Sequence, residues 1–179
     1  MIQTEIQPQT IHSDTPPTVS VIIPAYNAAK YIGEALNSVF DQTFRSHESI
    51  VINDGSPDTV ELERELQAYR ANIQYIKQEN RGAAAARNAG LLCARGEYVA
   101  FLDADDRWLP NFLEEQIEFL KLNGADFVFS DAVLFGETPL AGRTFMELEP
   151  PKSAVTPESL LAVEVTVLTS AVLARKKPI

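Results

Sequence analysis

The triplet Asp103-Ala104-Asp105 sets two carboxylates one residue apart, directly after the apolar run Tyr98-Val99-Ala100-Phe101-Leu102. Carboxylate pairs suit a hard cation such as Mg2+ or Mn2+, which takes oxygen ligands from carboxylates and phosphates together. A bare D-x-D is common in loops, so its meaning comes from following an apolar strand, where carboxylates can be held rigidly. Asp106 next to it has the plainer use of capping the following helix. Two more polar clusters follow apolar runs in the same way: Pro24-Ala25-Tyr26-Asn27 and Asn53-Asp54-Gly55-Ser56. Each alone is also ordinary turn chemistry. A further stretch, Asn80-Arg81-Gly82-Ala83-Ala84-Ala85-Ala86-Arg87-Asn88-Ala89-Gly90, joins small residues to a helix start. Small residues allow close backbone approach, and the free N–H groups of a helix start suit an anion. The stretch is neither a G-x-G-x-x-G nor a G-x-x-x-x-G-K-[ST], which excludes phosphate binding of the P-loop type. Arg81 and Arg87 read equally well as surface charges.

The elements that must position these clusters follow from hydrophobic periodicity. Residues 19–23 form a β-rich run stopped by Pro24, as expected for a strand buried on both faces. Ile50-Val51-Ile52, residues 73–76, residues 98–102 and Phe127-Val128-Phe129 are the further strands. Asn27 is placed to cap a helix whose apolar face is Ile32, Ala35, Leu36, Val39 and Phe40. Asp58 with Glu61 signals the next helix start, continued by Leu62, Leu66 and Tyr69. Residues 84–95 are good helix formers with Gly96 as the stop, and Pro110 opens a helix with Leu113, Ile117 and Leu120 on one face. Strands alternating with helices predict right-handed βαβ units and a mostly parallel sheet. Ligands bind such a sheet beyond the carboxyl ends of its strands, where the three polar clusters converge on one crevice. After Ser130 the alternation fades into a loop or lid over 136–151, a short helix at Thr156-Pro157-Glu158, and a strand over 167–173. Residues 1–18, rich in Thr, Gln and Pro, read as a flexible leader in which His12 is a solvated bystander.

Composition narrows the partners. The chain has 179 residues, 45% hydrophobic and 22% charged, which suits one soluble domain with a sizeable core. A formal net charge of -10 argues against a nucleic-acid backbone binder and a polybasic membrane anchor. An acidic protein that binds an anionic nucleotide needs a metal cation or a local Arg against repulsion. The single cysteine, Cys93, cannot form an internal disulfide and reads as a small apolar helix residue in a reducing compartment. The first residues lack signal-peptide character, and no apolar run reaches the roughly 18 residues of a membrane span.

In order and spacing, Val21-Ile22-Ile23-Pro24-Ala25-Tyr26-Asn27, Asn53-Asp54-Gly55-Ser56-Pro57-Asp58, Asn80-Arg81-Gly82 with Ala86-Arg87-Asn88-Ala89-Gly90, and Leu102-Asp103-Ala104-Asp105-Asp106 resemble family 2 glycosyltransferases. The resemblance spans about residues 19–130, roughly two thirds of the chain. It implies an α/β fold of GT-A type, a Rossmann-like mostly parallel sheet flanked by helices. It also implies a nucleotide-diphosphate sugar donor, with a UDP-sugar favoured, and a divalent metal, Mn2+ or Mg2+. Carried over by position, Pro24 and Tyr26 flank the base with Ala25 and Asn27 beside them, and Asp54 bonds the base edge. Asp103 and Ala104 lie against ribose and sugar, and Asp105, with Asp103, holds the metal that bridges the phosphates. Arg81 and Arg87 match the family's polar helix start. Asn53 departs from the family's usual second Asp, but the retained Asp54 keeps nucleotide binding in the expectation.

The implied reaction is a single in-line displacement at the anomeric carbon with inversion, assisted by metal and positioning. A carboxylate base must take the acceptor proton. In the family it follows the strand that Thr169-Ser170-Ala171-Val172-Leu173 matches, so it is expected beyond Ile179. On this reading 19–179 is a nucleotide-sugar-binding domain with an incomplete acceptor part, and Asp126 and Asp131 are loop-forming residues. The alternative is a nucleotide-sugar-binding module without turnover. A sugar-nucleotidyltransferase or dinucleotide dehydrogenase would need a Gly-rich loop after the first strand, which Pro24-Ala25-Tyr26-Asn27 does not supply. The resemblance further implies a carbohydrate or glycolipid acceptor and polysaccharide biosynthesis. It places the chain in the cytoplasm and the parent protein peripheral to the inner face of a membrane, by analogy. Oligomeric state stays open.

Overall fold

The structure, a computed structural model, describes residues 5–6, 15–162 and 164–176. At its centre lies β2 (Val19–Ala25), six of whose seven residues are buried. It pairs in parallel with β3 (His47–Asp54) on one side and β5 (Tyr98–Phe101) on the other. β4 (Ile73–Gln78) extends the parallel set beyond β3. The edges turn antiparallel: β1 (Glu5–Ile6) against β4, and β7 (Val172–Arg175) between β5 and β6 (Phe127–Phe129). The order is β1-β4-β3-β2-β5-β7-β6. The sequence alternation thus holds for the four central strands. The fifth expected strand, β6, lies at the edge instead of beside β5, because β7 comes back between them.

Helices cover both faces, which explains why the central strands are continuously apolar. Val19, Val21 and Ile23 of β2 point to one core with α1 (Ile32–Phe40), α2 (Thr59–Glu65) and α4 (Phe112–Asn123), through Leu36, Leu62 and Leu113 among others. Ile22, Ile50, Ile52 and Ile76 face the other core under α3 (Ala83–Cys93). α3 lies so near the sheet that a Cβ on Gly90 would stand 2.5 Å from Ile22 Cγ2.

Several expected boundaries differ. α1 begins at Ile32 after Tyr31, and Asn27, at φ 54°, caps nothing. Asp58 does precede α2, but its side chain makes no cap bond to it. Pro110 lies in the loop before α4, whose first flanking residue is Asn111. α3 ends through an extended Ala94, so Gly96 is no helix stop; it lets the chain pass within 2.7 Å (for a Cβ) of the Ser20 amide. The expected strand over 167–173 is a 3-10 turn, Thr169–Ala171, leading into β7. The lid stretch carries α5 (Phe145–Leu148), followed by α6 (Pro157–Leu161), each opened by a threonine capping box. Asp131 Oδ1 accepts the N–H groups of Ala132 and Met146, and Asp126 pairs with Arg175, so both carboxylates are engaged in loop structure. Of the leader only residues 5–6 and 15–18 are described; His12 lies outside the described residues. Among the described residues no helix is long and apolar enough to cross a membrane.

Candidate functional site

β2 and β3 run in register to their ends, Ala25 opposite Asn53, so the loops that leave them meet. Asn53 is fully buried and builds the second loop: its Oδ1 accepts the Ser56 N–H at 2.9 Å, and its Nδ2 donates to Thr59 Oγ1 and Tyr75 Oη. Those hydroxyls give their own protons to Ser56 C=O and Glu63. Both therefore need a donor, which an aspartate could not supply. This accounts for asparagine here. Ser56 Oγ accepts the Asn27 N–H at 2.6 Å and bonds Asp58 Oδ1, while Asp58 Oδ2 accepts the Ala29 N–H at 2.9 Å. Asp58 thereby ties the loop after β3 to the loop after β2.

Asp54, 2% exposed, points the other way. Its Oδ1 accepts from Gln78 Nε2 at 2.7 Å and the Arg81 N–H at 3.0 Å, and its Oδ2 accepts the Gly82 N–H at 2.8 Å. It therefore anchors the start of α3. Gly55, at φ +61°, is required here, since a Cβ would stand 2.5 Å from the Asn80 amide nitrogen. From α3, Arg87 reaches across to an ion pair with Asp103 Oδ1, and its Nε is buried without a hydrogen-bond partner among the described residues.

Beyond β5 the chain makes a turn, closed by the Asp106 N–H donating to Asp103 C=O at 3.0 Å. Ala104 is buried in it and Asp105 exposed. The Asp103 N–H donates to Ser170 Oγ at 3.0 Å. Burial pushes the Asp106 carboxyl above its ordinary range, a hydrogen bond with Ser170 opposes that, and the Asp105 and Asp103 charges add to it. Asp106 does not cap α4. That task falls to buried Gln42, whose Oε1 accepts the Leu113 N–H while its Nε2 donates to Ser38 C=O and Leu109 C=O.

These loops enclose a cleft of about 500 Å3 at the carboxyl ends of the parallel strands. Of the residues singled out in the sequence, Pro24, Ala25, Tyr26, Asn27, Asp54, Arg87, Asp103, Ala104 and Asp105 line it. Arg81 does not: it is exposed, and its contribution is the backbone N–H on Asp54. Tyr31 lines the cleft without any sequence signal, and Ser170, which holds the Asp103 N–H, gave none either. Among the described residues no three His, Cys, Asp or Glu side chains converge on a cation position. Asp105 makes no hydrogen bond or ion pair with them, while Asp103 is shared with Arg87. One or two carboxylates facing an anion-sized cleft is the donor set of a cation held jointly by protein and phosphate. The residues fit Mg2+ or Mn2+ in that shared manner.

Residues 20–158 match the model of a family described as Glycosyl transferase family 2. TuaG of Bacillus subtilis, named for a glycosyltransferase of teichuronic acid biosynthesis, is 43% identical over 132 residues, which cover 69% of this chain and 51% of that protein. Residues 1–349 of S. aureus TarS, solved in complex with UDP, superpose with a TM-score of 0.59 at 30% identity, over 68% of this chain and 37% of that one. The mannosyltransferase PcManGT from Pyrobaculum calidifontis, solved with GDP-Man and Mn2+, gives 0.53 at 30% identity, over 59% of this chain and 33% of that one. The chain thus spans about half the length of TuaG, and less than a fifth of some longer rickettsial relatives.

Proposed function

The chain belongs to glycosyl transferase family 2, and on that premise we propose that its cleft binds a nucleotide-diphosphate sugar for inverting, metal-dependent transfer to an acceptor hydroxyl. The observation that carries this reading is the convergence of Tyr26, Asp54, Arg87, Asp103 and Asp105 on one cleft from four separate loops or helix starts. Half-exposed Tyr26, beside Pro24, offers a face for the base. Asp54 already accepts three hydrogen bonds. A carboxylate has about four acceptor positions, which leaves one for a donor on the base edge. Asp103 and Ala104 face the ribose and sugar, and the start of α3 with Arg87 faces the diphosphate. Asp105, aided by Asp103, would hold Mn2+ or Mg2+, which when bound supplies neutralisation of the charge on the departing diphosphate.

In the transfer, the acceptor oxygen bonds to the anomeric carbon as the carbon–oxygen bond to the diphosphate breaks on the opposite side. The hydroxyl proton goes to a carboxylate base; Asp103, paired with Arg87, Asp54, which accepts bonds from the start of α3, and Asp105, given to the metal, have other work. TarS bound to UDP supports a UDP-sugar donor, and PcManGT with Mn2+ supports the metal. The name of TuaG supports a role in polysaccharide biosynthesis, and the acceptor proposed here is a carbohydrate or glycolipid at the inner face of a membrane.

Calorimetric titration of the chain with UDP tests the metal assignment. UDP binds more tightly in Mn2+ than in EDTA, and Asp105→Ala removes most of that difference. A metal effect that survives Asp105→Ala overturns the assignment.

A further inference from the structure

The turn that presents Asp103 and Asp105 is not rigid by its own bonding alone. Within it, the described contact is the single backbone bond from Asp106 N–H to Asp103 C=O. Beside the Arg87–Asp103 ion pair, the bonds that fix its start and the chain just past it converge on one residue far along the chain. Ser170 Oγ accepts the Asp103 N–H at 3.0 Å. The hydroxyl thus holds the first residue of the turn. The Ser170 carbonyl accepts Trp108 Nε1–H at 2.6 Å, which fixes the chain just past the turn as well.

Ser170 is itself held in register. It sits in the 3-10 turn that leads into β7, whose Leu173 pairs with Ala100 of β5. β5 is the strand that ends in the turn. The strand pairing and the hydroxyl therefore bind the same two segments, one setting their height and the other the orientation of the turn.

We propose that Ser170 is a positioning residue for the cleft, its hydroxyl holding the Asp103-Ala104-Asp105 turn in the geometry at which the two carboxylates share a divalent cation with a bound diphosphate. This rests on the donor-site reading above. Removing the hydroxyl leaves the Asp103 N–H without its partner and loosens the turn at its first residue. The consequence falls on metal-assisted binding, while the base-facing part of the cleft, built on Asp54 and Tyr26, has no bond to Ser170.

The test is the ratio of UDP affinity in Mn2+ to that in EDTA, measured by calorimetry for the unaltered chain, Ser170→Ala, Ser170→Thr and Asp105→Ala, with thermal midpoints recorded alongside. Ser170→Ala lowers the ratio by about five-fold, the scale of one lost positioning hydrogen bond, and Ser170→Thr, which keeps the hydroxyl, restores most of it. A merely structural serine would lower the thermal midpoint and leave the ratio unchanged, and that result overturns the proposal. So does a Thr variant no better than Ala. If Ser170→Ala does not fold, Ser170→Cys, similar in shape but a weak hydrogen-bonding group, replaces it with the same fall expected. If Asp105→Ala abolishes the metal effect while the Ser170 variants keep it, the positioning role alone fails. If Asp105→Ala also keeps it, the donor-site reading itself fails.

Discussion

Asp54 and Asp105 are both carboxylates on the same cleft, yet their surroundings give them different work. Asp54 is buried and accepts three hydrogen bonds, two of them from the backbone N–H groups of Arg81 and Gly82. Truncating it orphans those groups at the start of α3, and an orphaned buried donor costs about 1–3 kcal/mol. Asp54→Ala should therefore lower the stability to urea by that order and weaken UDP binding by a similar factor in Mn2+ and in EDTA. A loss of affinity confined to Mn2+ would show that Asp54 acts on the metal rather than on the loop and base. Asp105, exposed and without a bond among the described residues, carries no such structural load. Its removal belongs to binding alone. The identity of both residues was readable from the sequence. Their division of labour was not, because it depends on which amides the folded loops bring near.

At the scale of elements, the strands and helix faces were readable because burial imposes a period on the chain. The alternation of Ile22 and Ile23 between two cores, and the Ile32, Leu36, Val39 face of α1, follow from it directly. Helix ends were less readable. Asn27 and Asp58 are residue types that cap helices, but the Asn27 N–H donates to Ser56 Oγ and the Asp58 side chain takes the Ala29 amide across the loop. A side chain's choice between a local amide and a tertiary one is not written in its neighbours. Gly90 illustrates the opposite competition. In a free helix, Gly→Ala gains about 1 kcal/mol. Here the added methyl would stand 2.5 Å from Ile22 Cγ2 and 3.0 Å from Ile52 Cδ1, both fully buried. Overpacking of that kind costs about 1–3 kcal/mol, so Gly90→Ala should lower the urea midpoint. A raised midpoint would mean that α3 does not seat closely on β2 and β3.

At the scale of the molecule, the cleft is a product of strand order. Parallel β2, β3 and β5 deliver their loops to one end, and β4 leads there through Gln78 to the α3 start. That convergence could be anticipated from βαβ alternation alone. The antiparallel edge could not, since β7 and β6 are short and their pairing joins segments far apart in the chain. For the same reason Ser170, 67 residues from Asp103, and Gln42, 71 residues from Leu113, left no trace in local pattern. The chain's net charge of -10 also bears on the whole site. With the Arg87 charge shared with Asp103, a diphosphate at the start of α3 also meets the Asp105 carboxylate, which is the electrostatic reason for expecting a cation there. The most direct test is a crystal structure of this chain with UDP and Mn2+, using the anomalous signal to locate the metal. The predicted result is uracil against Tyr26 and Asp54, the diphosphate towards α3, and Mn2+ coordinated by Asp105 and phosphate oxygens. UDP bound outside this cleft, or Mn2+ on the phosphates with Asp105 turned away, would contradict the donor-site assignment.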